Sequence, residues 1–135
     1  MPADANLSLQ ASVTKTGSFN GAWVAIPGLG GHAGLYAHVF FSAATNASGS
    51  NAFTFSLDVS PDNGTTAYVG EFSAADQVVT LSTTAQAGEI VIPFNLRTKG
   101  VRDGATPAVR LVVTQTGAGS TPTITYSGDV RVAIN

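Results

Sequence analysis

Two histidines, eight acidic residues and no cysteine bound the chemistry open to this 135-residue sequence. Without cysteine, disulfides, thiolate metal centres and cysteine nucleophiles are excluded. His32 stands in the run Gly28-Leu29-Gly30-Gly31-His32-Ala33-Gly34, and His38 stands in an apolar alternation. A zinc site needs three or four converging ligands, and this spacing does not supply them. His38, between Ala37 and Val39, reads as a hydrogen-bonded strand residue. Gly28, Gly30 and Gly31 look like a phosphate-cradling loop only superficially. Neither the Gly-Lys-Ser/Thr of a P-loop nor the helix of a dinucleotide site follows them. There is also no Gly-x-Ser-x-Gly nucleophile elbow.

Asp58, Asp62 and Asn63 gather oxygens around one hairpin, but the terminal bidentate acid of a calcium loop is missing. The pattern Ser60-x-Asp62-x-Gly64-x-Thr66 resembles the Asp-box hairpin of sialidase propellers, with Ala67 where that motif carries an aromatic. The Asp box is a fold feature, so the segment reads as a turn. No carboxylate pair has the apolar shell that would raise one pKa. The sequons at Asn6, Asn46 and Asn63 are of the number that chance gives in a Ser/Thr-rich chain. No catalytic, cofactor-binding or metal-ligating residue is assigned. The expectation is a protein that is not an enzyme and takes no cofactor.

Charge is scarce: 10% of residues are charged, for a net −2, against about 25% in an average soluble domain. Nothing here steers the chain to nucleic acid or anionic lipid. Ser and Thr number 28, beside 15 Gly, so the surface is expected to be hydroxylic and weakly self-repelling. Four of the six cations (Arg97, Lys99, Arg102 and Arg110) lie within fourteen positions. They make either a solvated loop or an anchor for an acidic partner. The opening residues, Met1 to Asn6, have neither a basic start nor an apolar run, so no secretory signal is expected. No stretch approaches the roughly 18 apolar residues of a membrane helix, and a soluble protein is expected.

The elements that position these residues follow a period of two, the strand signature. Leu7, Leu9, Ala11 and Val13 form a first strand, and Trp23, Val24 and Ile26 a second that ends at Pro27. Leu35, Ala37, Val39 and Phe41 face one way on a third, with Tyr36, His38 and Phe40 on a face that is also expected to be covered. Phe53, Phe55, Leu57 and Val59 form the clearest strand. Pro61-Asp62-Asn63-Gly64 turns it into a return strand over Ala67–Phe72. A weaker strand follows at Val78–Leu81, then one through Ile90, Ile92, Phe94 and Leu96, and another through Val109, Leu111 and Val113. Residues 97–107 and 43–52 are loops, and Gly117 to Ser120 lead into a final pair, Ile124–Tyr126 and Val130–Ile134. The expected core is Trp23, Phe41, Phe53, Phe55, Leu57, Ile92, Phe94, Leu111, Val113 and Val132. Ser73 to Gln77 offer one helical turn at most. Eight to nine evenly spaced short strands predict a single all-β domain over residues 1–135. The architecture expected is a two-sheet antiparallel β-sandwich of jelly-roll type.

Four stretches carry a resemblance. Phe53-Thr54-Phe55-Ser56-Leu57-Asp58-Val59-Ser60-Pro61-Asp62-Asn63-Gly64 is followed by Ile90-Val91-Ile92-Pro93-Phe94. Val109-Arg110-Leu111-Val112-Val113-Thr114 then leads to Thr121-Pro122-Thr123-Ile124-Thr125-Tyr126. Together, over roughly residues 53–134, they resemble the small cement or decoration proteins of tailed bacteriophage capsids. That resemblance implies a virion protein on the capsid surface, assembled in the host cytoplasm. It further implies a homotrimer clamped over junctions of the major capsid protein, stabilising the shell without chemistry. Edge strands with few Lys or Pro gatekeepers fit an assembly. The alternative is a carbohydrate- or receptor-binding β-sandwich, lectin-like or from a head fibre, which needs a planar platform of Trp or Tyr, for which Trp23 and three Tyr are available.

Overall fold

Apolar–polar alternation builds every long strand in the computed structural model, which describes residues 7–26, 35–43, 51–74, 77–80, 86–94, 107–117 and 122–132. Among these, ten strand segments and no helix occur. In chain order they are β1 (Leu7–Lys15), β2 (Phe19–Asn20), β3 (Val24–Ala25), β4 (Leu35–Ala43) and β5 (Ala52–Ser60). There follow β6 (Tyr68–Ser73), β7 (Val79–Thr80), β8 (Gln86–Phe94), β9 (Ala108–Thr116) and β10 (Ile124–Val132). The first sheet has the order β1-β10-β4-β8. The second runs β2-β9-β5-β6, with β3 also on β9 and β7 also on β5. All pairings are antiparallel.

The two sheets pack face to face as a β-sandwich, as the sequence predicts. One set of pairings is nested in the chain, while β5–β9 and β4–β10 join its members side by side within each sheet. β5 pairs β6, β4 pairs β8, β2 and β3 pair β9, and β1 pairs β10.

The inward faces meet in one core. Phe53, Phe55, Leu57 and Val59 of β5 and Val109, Leu111 and Val113 of β9 oppose Leu35, Ala37, Val39, Ile90, Ile92, Ile124 and Tyr126 of the first sheet. Phe55 meets Tyr126 edge-on at 5.1 Å between ring centres, and Phe72 meets Phe94 at 6.1 Å. Seven expected core residues are buried (Phe53, Phe55, Leu57, Ile92, Phe94, Leu111 and Val113). Phe41 and Trp23 are only half-buried, and the Val132 side chain lies outside the described residues. Leu96, His32, the glycine run 28–34 and Arg97, Lys99 and Arg102 also lie outside them.

Three expectations need correcting. The final pair is one nine-residue strand, β10. Gly128 looks like a turn residue but runs extended in unbroken register with Val39, and a Cβ there would press Leu111 Cδ2 at 3.2 Å. The second strand is two short pieces, β2 and β3, and Trp23 sits outside both. Between them Gly21 N–H donates to Leu111 O at 2.8 Å, where any Cβ would lie 2.9 Å from that oxygen. The outer side of β4 is covered only in part among the described residues: Tyr36 and His38 are half-buried, and Phe40 is 40% exposed. The edge strands carry few Lys or Pro, as expected, and their outlines are irregular. β1 loses register twice against β10, β6 bulges against β5 at left-handed Gly70, and edge strand β8 carries Pro93.

Candidate functional site

The hairpin that follows β5 closes on itself. Asn63 and Gly64 take φ values of 55° and 101°, the left-handed region that Gly and Asn tolerate. The buried Ser60 hydroxyl donates to Asp62 Oδ1 at 2.8 Å and accepts from the Gly64 N–H at 2.7 Å. Asp62 Oδ1 also accepts from the Thr66 N–H at 2.6 Å, and Oδ2 accepts from the Thr66 hydroxyl at 2.7 Å. These bonds, the Thr66 hydroxyl's first, hold the Asp62 carboxyl below its ordinary value. Both of its oxygens are committed to the turn, which is the role the sequence pattern predicts.

Asp58 does not join Asp62. Its carboxylate is 2% exposed and takes Arg110 Nε at 2.7 Å on Oδ2 and the Gly70 N–H at 2.8 Å on Oδ1. The register places Asp58 directly opposite Arg110 on the outer face of the second sheet. The Arg110 guanidinium lies 4.6 Å from the Trp23 ring centre. Trp23 in turn abuts Gly64, where an added Cβ would come within 2.7 Å of Trp23 Cδ1. Arg110 is therefore separated in role from the cation cluster in which the sequence places it: it neutralises a buried acid and pins the tryptophan. Among the described residues no three of His, Cys, Asp and Glu converge as metal ligands.

The outer face of the first sheet holds a second group of charged side chains. Its register forms cross-strand rows on β10, β4 and β8: Arg131–Tyr36–Pro93, Asp129–His38–Val91 and Ser127–Phe40–Glu89. Tyr36, His38 and Phe40 form a line of rings, with centres 6.2 and 4.4 Å apart. His38 Nε2 bonds the Glu89 carboxylate across the diagonal to β8, so the expected hydrogen-bonded strand histidine is found. His38 Nδ1 is buried without a partner among the described residues. Arg131 donates to both oxygens of Asp129, at 2.8 and 3.2 Å, and lies 5.6 Å from the Phe40 ring centre. That hydrogen bonding raises the Arg131 pKa above its ordinary value.

One regularity joins these places. Every charged side chain among the described residues has a partner within the chain. Lys15 Nζ sits 3.6 Å from the Phe19 ring centre. Asp58 pairs with Arg110, Asp129 with Arg131 and Glu89 with His38. Asp62 is held by its turn and Glu71 is also engaged. Exposed large apolar groups remain at Phe40, Val69, Val78 and Val91. Sequence reasoning finds the residues but misses the Asp58–Arg110 and His38–Glu89 pairs, because these two are made by register between strands distant in the chain. Comparison of the chain with protein-family models, curated proteins and solved structures finds no match.

Proposed function

We propose that this chain is a structural virion protein that decorates a bacteriophage capsid. In this reading it sits as a homotrimer over junctions of the major capsid protein and performs no catalysis. The observation that carries the reading is the complete internal pairing of described charged side chains beside exposed Phe40, Val69, Val78 and Val91. Such a surface associates through shape and apolar burial, and offers little for long-range steering. The nested pairing of the two halves of the chain supports taking the sandwich as a jelly roll, a long hairpin rolled up on itself. Bulged and interrupted edges favour contact through sheet faces and loops over strand addition.

The test is mass measurement in solution with co-sedimentation on purified capsids. A trimer that binds capsids equally at about 50 mM and about 300 mM salt is expected, since exposed ion pairs would be screened over that range. A monomer at micromolar concentration that binds no capsid refutes the proposal. Alanine at Arg97, Lys99 and Arg102 separates an anchoring loop, which loses capsid binding while still folded, from a solvated one, which does not.

A further inference from the structure

The two register shifts in β1 have a geometric result. Strand β1 loses its pairing with β10 between Ser8 and Gln10 and again between Gln10 and Val13. Beside these shifts the outer face of the first sheet holds two shallow depressions, of about 260 and about 200 Å³. Ser8, Gln10 and Asp129 line one, Ser12, Phe40 and Ser42 line the other, and Ser127 belongs to both. They adjoin at Ser127 and follow one another along β10, and are taken together as a trough. Thr125 to Asp129 alone spans about 13 Å at the rise of a strand, room for a short chain of rings.

Its lining has two chemistries. The hydroxyls of Ser8, Ser12, Ser42 and Ser127 make no side-chain hydrogen bond among the described residues, so they are open to a ligand. The wall is the Phe40 ring, 40% exposed, backed by His38 at 4.4 Å and steadied by the Arg131 guanidinium. A pyranose needs this combination: an aromatic surface for its C–H face, and donors and acceptors for the hydroxyls at its rim. The charges in and beside the trough, Asp129 with Arg131 and Glu89 with His38, are paired. Among the described residues an anionic ligand would find no free cation there.

We propose that this trough on the outer face of the first sheet binds a neutral oligosaccharide. The site needs Phe40 to face solvent, so a decorating protein that carries it outward would make its apolar contacts through Val69, Val78 and Val91 instead. The test passes the full chain over an array of neutral and sialylated oligosaccharides. Any neutral glycan retained is then titrated calorimetrically against the parent, Phe40→Ala, Phe40→Trp and Ser127→Val. Retention of a neutral glycan is expected, weakened about tenfold or more by Phe40→Ala and by Ser127→Val and kept by Phe40→Trp. Circular dichroism and the thermal midpoint confirm that each variant is folded. No retention, retention of sialylated glycans only, or affinity indifferent to Phe40 and Ser127 overturns the proposal. A parent that sediments with capsids yet retains no glycan overturns the trough and leaves the decoration reading standing.

Discussion

Replacing Arg110 with alanine should cost far more than removing a surface cation. Asp58 is 2% exposed and would keep only the Gly70 N–H at 2.8 Å. Breaking a buried ion pair by deleting one partner costs about 3–5 kcal/mol, because the other charge stays desolvated. Arg110 itself is 20% exposed, and water entering its place relieves some of the cost, so the lower figure of about 3 kcal/mol applies. In a domain of this size each kcal/mol lowers the midpoint by roughly 4 °C, so a fall of about 12 °C is expected. Thermal unfolding followed by circular dichroism reads it directly. Trp23, the single tryptophan, reports the same site by fluorescence as the cation 4.6 Å from its ring disappears. The double variant Asp58→Asn with Arg110→Met leaves no buried charge and should recover most of the loss. A midpoint for Arg110→Ala within about 3 °C of the parent would show the pair to be solvated and refute the reasoning.

Phe55→Ala removes a fully buried ring that meets Tyr126 edge-on at 5.1 Å. It should cost about 3–5 kcal/mol in denaturant unfolding, and an unchanged midpoint would contradict the packing. Burial pushes the Tyr126 phenol up to about 12. The unfolded chain therefore ionises first, and this group's contribution is complete below about pH 10 and lost as pH rises through about 12. Tyr126→Phe removes a buried hydroxyl that has no partner among the described residues. It should leave stability equal or raised at neutral pH and flatten the alkaline decline. Asp62 is shifted the other way, below 3.8. Its contribution is present above the unfolded value and lost as pH falls through the folded one. Thermal midpoints between about pH 2 and pH 6 should rise with pH more steeply in the parent than in Asp62→Asn.

Wherever one strand face is buried, the alternation of residue types was enough to read the fold. Phe53, Phe55, Leu57 and Val59 are all buried, and so are Ile90, Ile92 and Phe94. Period-two patterning survives because a one-residue slip would turn these side chains into water. Legibility fails where a residue answers to a distant neighbour. Gly128 serves the close approach of Leu111, Trp23 is held by Arg110 and Gly64, and β2 is only two residues long. The trough is hidden for the same reason. Ser12, Phe40 and Ser127 belong to three strands, and only the β1–β10–β4 register brings them together. No local pattern in the chain marks a serine as lining a groove.

Nested pairing also sets an order of events during folding. β5 and β6 are joined by a short turn, whereas β1 and β10 meet across most of the chain, with Thr14 and Thr125 in hydrogen-bond contact 111 positions apart. Closing that longest loop first would forfeit the most chain entropy, while each inner pair that forms shortens the loop left for the next. Assembly should therefore run outward from the hairpin at Asp62, with β1 docking last. Destabilising substitutions in β1, such as Leu9→Ala, should speed unfolding and leave the refolding rate nearly unchanged, as stopped-flow kinetics would record. The strand that borders the trough is then also the one whose departure sets how long the folded protein lasts.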